Sequence, residues 1–537
     1  MQPTSDAAGA PDGSPDGATR RGVVAGMGAA AASAALHLDH AQAADNDAGN
    51  PYQSATELTR ALAAREVSSR ALVDAAIARI EALDGRINAV VVRDFDRARA
   101  AADAADAALA KGRQTGGEQR PLLGLPMTVK EQLSIVGLPT TWGFEQFRGW
   151  QPQADALAVQ RLKQAGAVIL GKTNVPVGLA DWQSYNPIYG TTNNPWDLGR
   201  TPGGSSGGSA AALAAGYVPL EVGSDIGGSL RAPAHYCGIF SHRPSIGLIP
   251  LRGAGPPETP PIPVPDDMAV LGPMARSAAD LALALGVLAG PDEMWDGIGY
   301  RLALPPPRHE RLADFRVLVL DEHPLFPTAA EVRTVLNEAA DRLAQAGAQV
   351  RRAGPDLPDL ARMTRDYVEL LMAFFAVDMP PEVRLRMEAA AQALPPEDLS
   401  LRAASLRGVA MSHAAWVRSM RIRQGVRAQW QAMFRQVDVI LCPPMPTAAF
   451  PHDHTPMPTR HLMVDGRKVT YDDQIVWAAL SVAAGLPATT MPAGQTPDGL
   501  PVGVQIIGGY LEDHTTIRLA ALMEQAFGGF RPPPKLG

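Results

Sequence analysis

The sequence predicts an α/β fold, because short apolar runs typical of strands alternate along it with longer runs of helical periodicity. The chain has 537 residues, of which 46% are hydrophobic and 19% are charged, and this is the composition of a globular protein able to bury a large core. Such a length would allow two or three average domains, but large α/β enzymes also fold as one unit around one sheet.

The N-terminal half supplies most of the predicted alternation. Ser54 and Glu57 form a capping box that should begin the first helix. An amphipathic helix follows, with apolar residues at helical spacing at Val73, Ala76, Ile77, Ile80 and Leu83. Next in order we expect a strand over 87–92, a helix over 94–111, a surface loop over 112–119, a strand over 122–130, a helix over 155–165 and a strand over 168–170.

The same rhythm returns later in the chain. A strand is predicted over 315–320, and a capping box formed by Thr328 and Glu331 should begin a helix that ends at Gly347. Between these halves, the proline-rich segment from Pro250 to Asp267 cannot form regular structure and predicts a long loop near the functional site.

Residues 365–395 carry a bulky apolar stripe at helical spacing. A stripe of this kind usually packs into the core, but Met and Phe are also adaptable enough to line an acyl or aryl pocket. The pattern leaves both interpretations open for Tyr367, Leu370, Leu371, Phe374, Phe375, Met379 and Met387.

Charge and cysteine content exclude several classes of protein. The net charge is −7, so the chain lacks the basic surface that nucleic acid requires, and binding of tRNA by charge alone is disfavoured.

The two cysteines, Cys237 and Cys442, form no CxxC motif and predict either two buried thiols or, in an exported chain, a disulfide. His452 and His454 are the closest histidine pair, and further ligands for a metal cannot be placed.

The N-terminus resembles a twin-arginine export signal. Arg20 and Arg21 precede a mild apolar run, followed by an A-x-A cleavage pattern at 41–43. The run is about 15 residues long, too short to span a bilayer. We therefore expect a signal over 1–43, a mature domain over 44–537, and a periplasmic or secreted protein. Val23 stands where the pattern prefers Phe, and three Asp residues precede the arginines, so a disordered extension on a cytoplasmic enzyme is the alternative.

Two serine loops flanked by glycine lie between Thr201 and Pro233. The first reads GGSSGGS over 203–209, and the second reads GGS over 227–229. Glycine beside a hydroxyl lets the backbone approach a substrate closely and turn its N–H groups toward a developing oxyanion. One such loop would be weak support for a catalytic site, since flexible linkers and phosphate-binding turns share its composition.

Together with four further motifs, the loops resemble the amidase signature family. These motifs are PLLGLPMTVK at 121–130, GKTN at 171–174, NNPWD at 193–197 and DGLPVGVQII at 498–507. The resemblance implies a single large domain with a mixed, twisted central sheet surrounded by helices. It also implies a small-molecule amide substrate and no metal or other cofactor. From the acidic charge we expect no nucleic acid partner, and from the short N-terminal apolar run no stable membrane insertion, while a homodimer is left open.

The family's hydrolases use a Ser-cisSer-Lys triad, which the resemblance places on three residues. Ser229 is the implied nucleophile, Lys130 the base, and Ser205, after a cis peptide bond from Gly204, the relay between them. No histidine lies in the matched motifs, so a Ser-His-Asp triad has no evident base here. Lys130 ends an apolar strand, where desolvation would lower its pKa toward that of a usable base.

The remaining site residues belong to the same loops. Backbone N–H groups of the second loop are expected to form an oxyanion hole, and they belong to Ile226, Gly227, Gly228 and Ser229. Ser206 and Arg231 match positions whose family role is to hold the loops, and Asp225 is expected to be structural in the same way.

The predicted function is hydrolysis of a linear carboxamide C–N bond through a serine acyl-enzyme. One alternative is the glutaminase (A) subunit of a tRNA-dependent amidotransferase, and another is a carbamate or ester hydrolase with the same triad. A catalytically inactive binding protein is disfavoured because all three triad positions are filled. Val177 replaces an acid common at this position in relatives, so the substrates of charged relatives are an unsafe guide.

Overall fold

An eight-stranded mixed sheet forms the centre of the fold, as the sequence predicts. The computed structural model describes residues 50–111, 120–263, 267–352 and 357–534. The predicted export signal over 1–43 and the predicted surface loop over 112–119 lie outside these residues.

The helices of the described residues are α1 Ala55–Ala64, α2 Ser69–Ile87, α3 Phe95–Ala110, α4 Leu157–Gln164, α5 Gly207–Ala214, α6 Arg231–Cys237, α7 Ala278–Leu288, α8 Ala330–Gln345, α9 Leu360–Phe375, α10 Pro381–Gln392, α11 Leu401–Val409, α12 His413–Met433, α13 Val476–Ala484 and α14 Asp513–Phe527. The strands are β1 Val90–Arg93, β2 Pro126–Lys130, β3 Val168–Thr173, β4 Tyr185–Asn186, β5 Gly190–Thr191, β6 Leu220–Asp225, β7 Phe240–Arg243, β8 Val270–Ala275, β9 Arg316–Val319, β10 Gln349–Arg352, β11 Val439–Cys442, β12 His461–Val464, β13 Arg467–Thr470, β14 Ala488–Gln495 and β15 Pro501–Gly508. None of the helices in these described ranges is both long enough and apolar enough to cross a membrane.

The main sheet has the strand order β10-β9-β11-β15-β14-β7-β8-β6. Strands β10, β9 and β11 are parallel, and every later neighbouring pair is antiparallel. A three-stranded sheet of order β1-β3-β2 continues this layer, since β2 lies beside β6. This junction matters for function because β2 ends at Lys130 and β6 leads into the second serine loop.

The central strands are buried on both faces. Every residue of β6, β8, β11 and β15 is buried, which is the pattern of a sheet covered by helices on each side. These strands therefore show no alternation of buried and exposed residues, and even Glu221 and Asp225 of β6 are buried.

Local signals predicted the first helix correctly and one later helix start incorrectly. The Ser54–Glu57 capping box is present. Thr328 does not cap α8, which begins behind Ala329 with no side-chain cap. Thr328 Oγ1 instead accepts a hydrogen bond from Trp477 Nε1 at 3.1 Å. The Ala330 N–H donates a hydrogen bond to the carboxylate of Asp465, a residue distant in the sequence, at 3.0 Å.

Several element boundaries differ from prediction by a few residues. The strand predicted over 87–92 is β1, Val90–Arg93, because α2 extends to Ile87 and ends at Asn88, whose φ is 58°. The strand predicted over 122–130 begins only at Pro126, after a turn. The proline-rich segment forms neither helix nor strand in its described residues, 250–263 and 267.

The apolar stripe serves both of its predicted purposes. Tyr367, Leu370 and Leu371 on α9 are buried in the core. Phe374 and Phe375, at the end of the same helix, line a cavity, and Phe374 is 48% exposed.

The two cysteines do not form a disulfide. Cys237 and Cys442 are both buried and free, so the interpretation as two buried thiols is correct.

Candidate active site

Lys130 is fully buried at the end of β2 and contacts two serines. Its Nζ lies 2.7 Å from Ser205 Oγ and 2.8 Å from Ser224 Oγ. Burial lowers the pKa of Lys130 to about 7, although the charges of Asp225 and Glu221 oppose that shift. Near neutral pH, a large fraction of Lys130 is therefore the neutral amine that can accept a proton.

A chain of hydrogen bonds sets the direction in which Lys130 can accept that proton. Gln132 Nε2 donates to the carbonyl oxygen of Ala254 at 2.9 Å, so the Gln132 Oε1 faces the other way and accepts the Ser224 hydroxyl at 2.6 Å. Because the Ser224 hydroxyl donates its proton to Gln132, Ser224 Oγ can only accept a hydrogen bond from Lys130. The lone pair of a neutral Lys130 is thereby left for Ser205.

Ser205 lies in the first serine loop, immediately before α5. The Gly204–Ser205 peptide bond is cis, as the resemblance implies. Glycine is required at 204 because a Cβ there would lie 2.2 Å from the carbonyl oxygen of Asp181. The loop can thus pack directly onto the 181 segment while the Ser205 hydroxyl faces Lys130.

Ser229 lies in the second serine loop, one residue after Gly228, whose φ of +97° favours glycine. Ser229 is 6% exposed and lines the same cavity as Ser205 and Ser224. Ser206 joins the two loops: its N–H donates to the carbonyl oxygen of Ser229 at 3.3 Å, and its hydroxyl donates to that of Ser224 at 3.3 Å. The structure therefore brings together the serine loops that the sequence separates.

Two aromatic side chains hold the carbonyl groups of the second loop. Tyr367 Oη donates to the carbonyl oxygen of Ile226 at 2.8 Å, and Trp182 Nε1 donates to that of Gly227 at 3.0 Å. Because each peptide unit is planar, fixing a carbonyl group also fixes the N–H of the next residue. The two aromatic residues thus set the orientation of the loop amides.

The four predicted oxyanion-hole amides are not equivalent. The Gly228 N–H donates to Asp225 Oδ1 at 3.1 Å and so already has a protein partner. Within the described part of the chain, the N–H groups of Ile226, Gly227 and Ser229 have no such bond, and these three are left for a substrate oxygen.

Asp225 anchors the second loop through a buried ion pair. Arg231 donates to the Asp225 carboxylate at 2.8 and 2.9 Å, and Arg243 lies 3.6 Å from it. Burial alone would raise the pKa of Asp225, but the two arginine charges outweigh it and hold this pKa well below its usual range. Arg231 also donates to Ser481 and Gln505 at 2.9 and 2.7 Å. Through these contacts Arg231, on α6, ties Asp225 to α13 and β15.

The serines open into a cavity of about 390 Å³. Its walls come from the turn after β2, the turn after β3, the second serine loop, the proline-rich segment and the end of α9.

In the described residues, no group of three or more His, Cys, Asp or Glu side chains is placed to hold a metal ion.

Four residues of this site were not predicted from the sequence: Gln132, Trp182, Ser224 and Tyr367. Ser224 and Gln132 could have been found, since each lies within five residues of a predicted catalytic residue. Trp182 carries no local signal, and the apolar stripe that contains Tyr367 does not reveal the contact of its hydroxyl. Both residues reach the second loop only through the tertiary fold.

Comparison with known proteins places this fold and site in one family. The family model Amidase matches residues 71–517. The glutamyl-tRNA(Gln) amidotransferase (A) subunit of Roseiflexus sp. (strain RS-1) is 33% identical over 497 residues, which cover 86% of this chain and 94% of that protein.

Solved structures agree with the sequence comparison. A bacterial aryl acylamidase of the amidase signature family matches with a TM-score of 0.70 and 25% identity, covering 89% of this chain and 96% of that one. A chain from a vestigial complex described as revealing the evolutionary origins of an s-triazine catabolic enzyme matches with a TM-score of 0.72 and 31% identity, covering 88% and 98%. The protein therefore belongs to the amidase signature family, and it is an enzyme of the kind that acts on amide C–N bonds.

Proposed function

We propose that the protein hydrolyses a linear carboxamide to a carboxylate and an amine or ammonia, through an acyl-enzyme on Ser229. The observation that carries this proposal is the buried 2.7 Å contact between Lys130 Nζ and Ser205 Oγ, beside the cavity that Ser229 lines. A desolvated lysine with a pKa of about 7 supplies the base that a serine nucleophile needs.

In the proposed reaction, Ser229 Oγ attacks the carbonyl carbon while its proton passes to Ser205, whose own proton passes to Lys130. The oxyanion that forms is stabilised by loop amides such as those of Ile226 and Gly227. As the C–N bond breaks, the proton returns through Ser205 to the leaving nitrogen. Water then cleaves the Ser229 ester by the same relay, which restores the free enzyme.

One relative favours a second candidate function. The Roseiflexus protein belongs to a glutamyl-tRNA(Gln) amidotransferase, so a glutaminase that works together with partner subunits is the main alternative. Against it stand the acidic net charge of −7 and the export signal that the N-terminus resembles. A carbamate or ester hydrolase would use the same three residues and differ only in the bond cleaved.

A panel of amides tests the choice between these functions. We expect the purified chain alone to release ammonia or amine from at least one alkyl, aryl or peptide amide, because Lys130, Ser205 and Ser229 all belong to this chain. Release is measured by coupled ammonia assay and by chromatography of the amine. Turnover of glutamine seen only after partner subunits are added would establish the glutaminase instead.

We further propose that the protein is exported through its N-terminal segment and acts in the periplasm or outside the cell. The mature chain should then begin near Ala44, and replacing both Arg20 and Arg21 with lysine should leave the precursor in the cytoplasm, because export depends on the arginine pair. N-terminal sequencing of the fractionated native protein measures this. An intact chain from Met1 that is active in the cytoplasm would contradict the proposal.

A further inference from the structure

The cavity in front of Ser229 is mostly apolar and aromatic. Four of its described lining residues are aromatic, namely Trp142, Trp150, Phe374 and Phe375. Leu179 and Ile226 add branched aliphatic surface, and four prolines complete much of the remaining wall. With a volume of about 390 Å³, the cavity lies in the range that holds a substituent much larger than a short polar chain.

Charge is nearly absent from the described lining. It includes no lysine, arginine or histidine, and its two acidic residues are Asp225 and Glu258. Asp225 is neutralised by Arg231 and Arg243, and Glu258 is exposed to solvent. Lys130 is buried behind Ser205 and is not part of the wall. A negatively charged group of a substrate would therefore meet no cation in the described cavity.

Hydrogen bonds hold the backbone at Trp142, one of the two tryptophans of the cavity wall. Trp142 adopts a φ of 53°, and its backbone N–H donates a hydrogen bond to Glu131 Oε2 at 3.0 Å. Glu131 Oε1 also accepts the Thr141 N–H at 2.6 Å, while the carbonyl oxygen of Trp142 accepts the Gly178 N–H at 2.8 Å. Both turns that line this side of the cavity are thus tied to the residue that follows Lys130. The backbone on this side of the cavity is therefore held by contacts within the protein itself.

We propose that the site selects amides that carry a neutral, apolar substituent of aryl size and rejects those that carry a carboxylate, glutamine included. This inference rests on the proposed amide hydrolysis at Ser229. An aryl group gains by leaving water and packing against Trp142 and Phe374. A carboxylate would lose its hydration without gaining an ion pair, which is the costly case for a buried charge.

The test compares amides on the purified full-length chain. The probes are 4-phenylbutanamide, acetanilide, propanamide, 4-carbamoylbutanoate and glutamine, and the quantity is kcat/KM. We expect the better phenyl-bearing amide to exceed both 4-carbamoylbutanoate and glutamine at least about 100-fold, because only the latter two bring an unpaired carboxylate into the cavity. A ratio below about tenfold, or a preference for glutamine, would overturn the inference.

A pair of variants tests whether the cavity wall causes the preference. Phe374→Ala should lower the ratio of kcat/KM for the phenyl-bearing amide to that for propanamide about tenfold. Val377→Ala is the matched control, since Val377 is 78% exposed, lies three residues away and is outside the lining. An unchanged ratio in Phe374→Ala, with its thermal midpoint unaltered, would also overturn the inference.

Failure of this inference is distinguishable from failure of the proposed function. Hydrolysis of glutamine with an acyl group on Ser229 would keep the amidase function and remove only the apolar selectivity. Absence of turnover and of a Ser229 adduct with every amide tested would remove the proposed function, and the selectivity with it.

Discussion

Ser229→Ala is expected to lower kcat by at least about four orders of magnitude while the protein stays folded. The change removes the attacking oxygen, so no acyl-enzyme can form, but it deletes only one atom from a loop held by Asp225 and Ser206. Steady-state kinetics with the best amide of the panel measures the loss, and the thermal midpoint checks the fold.

Ser405→Ala is a suitable control for this prediction. Ser405 lies on α11, its hydroxyl donates only to the carbonyl oxygen of Leu401, and it is not part of the cavity lining. Mass spectrometry of the wild-type protein with a slow substrate should find the acyl group on Ser229. An acyl group on any other residue would show that the nucleophile is assigned wrongly.

Lys130→Ala and Ser205→Ala should each slow acylation by several orders of magnitude, and the double variant should be little worse than either one. Both residues lie on one proton path, with their reacting atoms 2.7 Å apart, so removing either breaks the whole relay. Single-turnover kinetics of the two variants and their combination measures the coupling. A double-variant defect equal to the product of the single defects would mean that the residues act independently.

The pH profile gives a second readout of the same relay. Below its pKa of about 7, Lys130 is protonated and has no lone pair to offer Ser205. In the wild type, kcat/KM should therefore rise as pH increases through about 7 and then level off. Replacing His235 or His242, which are buried away from the cavity lining, should leave this midpoint in place. A flat profile across the range from about two pH units below this midpoint to about two above it would contradict the role of Lys130 as base.

The proposed triad positions could be predicted without coordinates because each lies in a short, chemically unusual segment. A lysine that ends an apolar strand, and serines between pairs of glycines, are rare enough together to indicate the family. The alternation of strands and helices likewise followed from local periodicity, with errors of a few residues at the ends of elements. The ends of helices and strands depend on which hydrogen-bond partner each backbone N–H and C=O group finds. The predicted boundaries are therefore wrong by a few residues near Asn88, where α2 ends, and near Pro126, where β2 begins.

The capping box at Thr328 shows where local reasoning fails. Its spacing to Glu331 is correct, but the Thr328 hydroxyl accepts a hydrogen bond from Trp477, and Asp465 accepts one from the N–H of Ala330, the first residue of the helix. A side chain forms its hydrogen bond with whichever partner lies nearest in the folded chain. The spacing between two residues gives no information about a third residue, such as Trp477, that lies far away in the sequence.

Local sequence was therefore enough to predict the fold class and the family, and to propose the three residues of the triad. The tertiary structure alone decided how they are arranged to react. It buried Lys130 so that its pKa falls to about 7, and it placed Gln132 so that the Ser224 hydroxyl beside Lys130 donates to Gln132. It also engaged the Gly228 amide with Asp225. Desolvation and hydrogen-bond direction are properties of surroundings assembled from distant segments, so they exist only in the folded chain.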